Sequence, residues 1–247
     1  VHVQPKANVP DGTVVSAEAL VRWTHDEMGP MPPTEFIPLA ERSGLIGQLT
    51  AWVIDAGLTQ IAAWRANGWE LGLAVNVTVK DLCGDQLVDL VSHGLAKNGV
   101  PASCLQLEVT EGSLFSDSAR ARLALKRLDA LGVSLSLDDF GTGWSSLVQL
   151  RQLPVSEIKI DRSFVGRMVE DPRDHAIVCS VIDLARGLGM RVVAEGVEDD
   201  ATWKRLAAMG CDSAQGWWLS RALPAAELSG WLEQHVNDHY RVRTPAP

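Results

Sequence analysis

The chain is expected to fold as an α/β protein, a TIM-like (β/α)8 barrel with an irregular first strand. Three observations support this. Short β-rich runs alternate with longer amphipathic ones, which implies a parallel sheet covered by helices. Glycine closes four of the helical runs just before the next strand begins. The length of 247 residues suits one such barrel.

In chain order, a short strand at Val1–Gln4 precedes seven clearer ones: Thr13–Trp23, Leu71–Val77, Cys104–Thr110, Ser134–Asp138, Val155–Ile160, Arg191–Glu195 and Cys211–Trp218. An open doubly wound sheet would share this alternation, but the strand count fits a closed barrel better. The segment Gln48–Asn67 places Leu49, Trp52, Val53, Ala56, Ile61 and Trp64 near helical spacing. Ala119–Leu131, Ala176–Leu188 and Ala201–Met209 follow the same period, and Gly99, Gly132, Gly189 and Gly210 supply stops. Pro30-Met-Pro-Pro33 reads as a rigid turn. Residues 1–243 read as one domain of a longer protein, with Thr244–Pro247 a frayed tail.

The composition is that of an ordinary folded chain, 46% hydrophobic and 21% charged. No run of about 20 apolar residues or signal-peptide pattern is present. The cysteines Cys83, Cys104, Cys179 and Cys211 form no CxxC pair, so reduced thiols and a cytoplasmic location are expected. A net charge of −9 argues against duplex nucleic acid as a partner. It leaves room for a phosphate ligand held through divalent cations on clustered carboxylates.

In such folds chemistry sits at the carboxyl ends of the strands. Here those ends carry Asn76, Glu108 and Glu111, Asp138-Asp139, Lys159 and Asp161, Glu195 and Glu198, and Gln215, while Glu18 lies in the apolar Ala17–Val21 run. A lone acid at a strand end is an ordinary helix cap or solvated residue. Glu18, Glu108, Asp138, Asp139 and Glu195 gathered at one pole would repel unless cations neutralised them. Carboxylate and amide oxygens suit Mg²⁺ or Mn²⁺. Adjacent Asp138 and Asp139 can both reach one site only if the strand ends there, before the turn Phe140-Gly-Thr-Gly143.

At these residues the chain resembles the EAL-domain family of cyclic-di-GMP phosphodiesterases. Glu18-Ala-Leu-Val-Arg-Trp23, Pro33-Thr-Glu-Phe-Ile-Pro-Leu-Ala-Glu41, Val75-Asn-Val-Thr78, Glu108-Val-Thr-Glu111, Asp138-Asp-Phe-Gly-Thr-Gly143, Lys159-Ile-Asp-Arg-Ser-Phe164, Val193-Ala-Glu-Gly-Val-Glu198 and Gln215-Gly216 match its motifs in order. The resemblance runs from about Val3 to about Leu232. It implies hydrolysis of cyclic di-GMP to linear 5'-pGpG by a two-metal mechanism, with Mg²⁺ or Mn²⁺ as cofactor.

The resemblance also implies roles. Glu18, Asn76, Glu108 and Asp138 look like ligands of one metal, and Asp138 and Asp139, with Glu195, like the second site. Lys159 resembles the lysine that orients or deprotonates the attacking water, and Gln215 the polar residue that fixes that water or the metal shell. Glu111 resembles the acid anchoring the loop from Asp139 to Ser145. Arg22 resembles a phosphate clamp, with Gln4 and Leu20 lining the dinucleotide groove. Ca²⁺ should bind but support turnover poorly, because its looser shell places the nucleophile less well. A homodimer and an upstream regulatory or sensor domain are further implications.

Some positions depart from the family pattern. Trp144 and Trp217-Trp218 stand where tyrosines are usual, and Gly112 and Ala222 are also atypical. Core packing is the preferred reading of the tryptophans over base stacking. The rival to an enzyme is an inactive receptor that binds the dinucleotide without cutting it. Another barrel metalloenzyme would typically need histidine ligands or a carbamylated lysine, and none of the six histidines lies in a ligand-like cluster at an expected strand end, although His25 and His175 could approach the rim.

Overall fold

A computed structural model describes residues 1–111, 119–142 and 147–235. Trp144, Ser145, Gly112 and the tail lie outside the described residues. Eight strands close into a barrel. In chain order they are β1 (His2–Asn8), β2 (Val14–Leu20), β5 (Gly72–Asn76), β6 (Leu105–Thr110), β7 (Ser134–Phe140), β8 (Glu157–Ile160), β9 (Arg191–Glu195) and β10 (Ser213–Gln215). Neighbours from β2 to β10 pair in parallel, and β10 returns to β1.

The first strand differs from expectation in length and direction. It covers seven residues, not four, and runs antiparallel to both β2 and β10. The cause is local: Val9-Pro-Asp-Gly-Thr13 is too short for the crossover of a dozen or more residues that parallel strands need. Asp11 Oδ1 accepts from Thr13 N at 2.9 Å, Gly12 adopts φ 68°, and a hairpin results. Gln4 therefore sits beside Glu18, at the pole where the parallel strands end.

The Pro30–Pro33 stretch, expected as a rigid turn, instead ends a short strand and starts a helix. Trp23–His25 (β3) and Gly29–Met31 (β4) form a small hairpin, and Pro33 opens helix α1 (Pro33–Ser43). Helices α2 (Ile46–Ala66), α3 (Val79–Cys83), α4 (Leu87–Asn98) and α5 (Ala119–Ala130) follow. Further along come α6 (Leu147–Leu150), α7 (Arg162–Val165), α8 (Pro172–Gly187), α9 (Asp200–Met209) and α10 (Leu228–His235). The glycine stops hold, since Gly99, Gly132, Gly189 and Gly210 all have positive φ. A two-residue strand β11 (Leu223–Pro224) pairs with the outer end of β1.

The apolar core lies mainly between strands and helices. Leu105, Leu107 and Val109 on β6, Leu135 and Leu137 on β7 and Ile158 and Ile160 on β8 join Ile54, Leu58, Ile61, Leu125 and Val181 in one cluster. Alternate residues on the same strands meet inside the barrel, and many are polar: Lys6, Glu18, Gln106, Glu108, Ser136, Asp138, Glu157, Lys159 and Gln215 are all buried. Among the described residues no helix is long and apolar enough to cross a membrane.

Candidate active site

The period-2 geometry of each strand sends every second side chain to the barrel axis. Glu108 on β6 is fully buried, and Glu18 on β2 and Asp138 on β7 nearly so. These three each bring a carboxylate oxygen within 4.8 Å of the others. Asp138, Asp139 and Glu195 form a second such group, so Asp138 belongs to both. Asn76, at the end of β5, donates from Nδ2 to Glu18 Oε1 at 2.7 Å.

Asp138 and Asp139 reach one site by a different route from the expected strand end. Strand β7 continues to Phe140, but pairing with β8 slips, so that Leu137 faces Ile158 and Phe140 faces Ile160. One extra residue is thus inserted, a β-bulge. Asp139 takes φ 54°, alone among described non-glycine residues, and its N–H donates to Asp138 Oδ1 at 3.0 Å. Asp and Asn tolerate this left-handed conformation better than most residues. Glu111, buried just beyond β6, accepts from Gly141 N at 2.9 Å.

Lys159 on β8 is fully buried, with Nζ 2.7 Å from Glu108 and from Glu195, 3.1 Å from Asp138 and 3.4 Å from Glu18. Burial disfavours its charge, but Glu108, Glu18, Glu195 and Asp138 overcome this and hold it protonated, well above its ordinary value. Lys6 approaches Glu108 from the other side, with Nζ 3.0 Å from Oε1. Burial would raise Glu108, yet Lys159 and Lys6 bring it down to about 2. The other acids are raised. Burial first, then neighbouring carboxylates, push Glu195 up to about 8 and Glu18 and Asp138 above their ordinary values. Burial and the Asp161 carboxylate do the same to Asp139.

Five carboxylates, with Glu157 also 3.9 Å from Lys6, thus outnumber the two ammonium groups that face them. Such a cluster favours added cations. Gln215 donates to Glu18 Oε2 at 2.8 Å and to Gln4 Oε1 at 3.0 Å, while its own buried Oε1 has no partner among the described residues. That acceptor suits an ordered water. The donor set therefore fits divalent metal with bound water. A cavity of about 230 Å³ opens here, lined by Gln4, Glu18, Asp138, Arg162, Glu195 and Gln215.

The residues assigned to substrate lie outward. Gln4 donates to Ser220 O at 2.9 Å. Leu20 and Arg22 line a larger cavity of about 490 Å³ that also reaches Asn76. Arg22 is exposed and donates to Val21 O at 2.9 Å. The tryptophans divide: Trp218 packs at 4.6 Å on Trp203, as a packing role requires, whereas Trp217 is exposed beneath Arg221 at 4.0 Å. Packing is therefore the wrong reading for Trp217.

Two residues without an assigned role adjoin the cluster. Asp161 caps α7 by accepting from Ser163 N and faces Asp139. Lys6 is not among the residues singled out from the sequence; the alternation Gln4, Lys6, Asn8 along β1 is the signal that could have placed it on the same face as Gln4.

The fold and this site define a (β/α)8-type barrel with a paired carboxylate centre suited to divalent cations. The chain belongs to the EAL-domain family, whose profile matches residues 1–222. It is 42% identical over 228 residues to the bifunctional diguanylate cyclase/cyclic di-GMP phosphodiesterase MucR of Pseudomonas aeruginosa, covering 92% of this chain and 33% of that protein. It is 37% identical over 231 residues to the cyclic di-GMP phosphodiesterase PA2567 of the same organism, covering 94% and 39%. A solved structure of the PaMucR phosphodiesterase with c-di-GMP superposes with a TM-score of 0.88 at 42% identity, covering 92% of each chain. The EAL domain of Mycobacterium smegmatis DcpA gives 0.79 at 34%, covering 94% of this chain and 95% of that one. The chain spans about a third of the length of the curated relatives it matches.

Proposed function

We propose that this domain hydrolyses cyclic di-GMP to linear 5'-pGpG with two divalent cations, Mg²⁺ or Mn²⁺. The observation that carries the reading is that Asp138 belongs to both carboxylate groups, the arrangement of a shared bridging ligand. Glu18, Asn76, Glu108 and Asp138 hold one cation, and Asp138, Asp139 and Glu195 the other. When bound, the pair would stabilise charge developing on the scissile phosphate and lower the pKa of a coordinated water. Relatives named as cyclic di-GMP phosphodiesterases, and a neighbour solved with c-di-GMP, supply the substrate class.

Lys159 acts as a hydrogen-bond donor that orients the water. Its ammonium stands within 3.4 Å of four carboxylates, which suits it to donate to a water bound among them. Gln215 Oε1, without a partner among the described residues, is the acceptor for the same water. Gln4 and Leu20 line the groove, and Arg22 swings from the Val21 carbonyl to a substrate phosphate. Glu111 holds the backbone after Asp139 through Gly141. In a longer protein of the relatives' size, a regulatory or sensor segment governs this domain.

The test is a product assay. The purified chain with c-di-GMP and Mg²⁺ or Mn²⁺ yields pGpG on chromatography, EDTA stops the reaction, and Ca²⁺ restores little of it. Tight dinucleotide binding without turnover at saturating Mg²⁺ and Mn²⁺ would make the domain a receptor.

A further inference from the structure

Lys6 stands on β1, the one barrel strand that runs antiparallel to its neighbours, and is 1% exposed. Its ammonium lies 3.0 Å from Glu108 Oε1 and 3.0 Å from Gln106 Oε1. Lys159 lies 2.7 Å from the other oxygen of the same carboxylate, Glu108 Oε2. Both oxygens of Glu108 are therefore claimed by separate lysines from separate strands, which fixes its carboxylate plane. Glu108 is fully buried, so no bulk water takes over if one donor is lost.

Lys6 is itself held from below. Glu157 lies 3.9 Å from its ammonium and accepts from Gln106 Nε2 at 2.9 Å and from Ser136 Oγ at 3.1 Å. Arg191 reaches the second Glu157 oxygen at 3.4 Å. Five strands, β1, β6, β7, β8 and β9, thus contribute to one buried polar network beneath the metal-binding residues. A satisfied buried network of this kind rigidifies its members, whereas a broken one leaves costly unpaired groups. A buried lysine beside a carboxylate that Lys159 already holds has a use where that carboxylate's orientation matters.

We infer that Lys6 is a positioning residue for the metal centre, setting the rotation of the Glu108 carboxylate from beneath so that it presents to cation and Lys159 together. The inference rests on the proposed reading of Glu108 as a metal ligand. Orientation and charge have opposite signs here, which makes the role testable. Removing a positive charge 3.0 Å from a ligand would by Coulomb attraction alone tighten cation binding. Releasing the ligand from its fixed plane weakens it.

The experiment measures Mn²⁺ binding directly, by electron paramagnetic resonance of free Mn²⁺, in the parent chain, Lys6→Met and Glu108→Gln. It also measures kcat and KM at saturating metal. Lys6→Met should weaken Mn²⁺ binding by about tenfold or more, the usual effect of losing a partner that orients a ligand. It should lower kcat and leave KM within about twofold, since Lys6 touches no substrate. Lys6→Gln, which keeps a shorter neutral donor, should fall between parent and Lys6→Met. Unchanged or tighter Mn²⁺ binding in Lys6→Met overturns the inference whatever happens to kcat. If Glu108→Gln also binds Mn²⁺ like the parent, it is the metal assignment that fails; if Glu108→Gln loses binding while Lys6→Met does not, Lys6 alone is misassigned. Should Lys6→Met lose its native melting transition, Lys6→Gln carries the test by the same criterion.

Discussion

Replacing Glu111 by alanine removes the acceptor that holds Gly141, two residues beyond Asp139. The bond from Gly141 N to Glu111 Oε2 is 2.9 Å, and Glu111 is 2% exposed. A hydrogen bond to a charged acceptor contributes about 1.5–3 kcal/mol. Gly141 is itself exposed, so water replaces part of this, and the low end of the range applies. Because the bulge places Asp139 directly before the anchored segment, the loss falls on the second cation site more than on the first. A barrier increase of about 1.4 kcal/mol lowers kcat about tenfold. Steady-state turnover and thermal melting are measured on the same variant, with Mn²⁺ titrated to saturation. The expected outcome is kcat down at least about tenfold with partial recovery at high metal, alongside a Tm lower by about 3–6 °C from the lost hydrogen bond. A lowered Tm with unchanged kcat would refute the reasoning and leave Glu111 a purely structural residue such as a helix cap.

Three further outcomes are expected. Glu18→Ala abolishes turnover with its circular dichroism intact, whereas Arg22→Ala chiefly raises KM; near-parental rates for Glu18→Ala would show the site to be misplaced. Gly216→Ala destabilises by at least about 3 kcal/mol, or roughly 6–12 °C in Tm, because rigid backbone must move. Its Cβ would lie 2.0 Å from the Val197 carbonyl oxygen, and a melting curve like the parent's would contradict that contact. Burial, aided by Asp212, pushes the Cys211 thiol up to about 12, so at pH 9 it stays protonated in the folded chain while an unfolded cysteine is about three-quarters ionised. Mass spectrometry after iodoacetamide should find Cys211 alkylated only in denaturant; rapid labelling of the native protein would count against its burial.

The sequence by itself determined the barrel and the composition of its carboxyl pole. Helices such as Ile46–Ala66 and Pro172–Gly187 follow from apolar spacing, and their ends from glycines that alone adopt positive φ without strain. Pro10-Asp11-Gly12 carried the hairpin signal for β1 as well, because a short loop cannot support a parallel crossover. Those are local properties, readable within a few residues. Tertiary structure decided which distant residues share a space. Lys6 and Glu108 are far apart in sequence, and only closure of the ring between β10 and β1 brings Gln4 against Gln215. The polar alternation along Leu105–Thr110 and Ser134–Phe140 resembles that of a half-exposed sheet, yet its polar face lines a barrel interior. No local pattern distinguishes solvent from a buried polar network, because both present the strand with hydrogen-bonding partners. The bulge at Asp139 was hidden for a related reason: it is set by the register of β7 against β8, a relation between strands that neither strand holds alone.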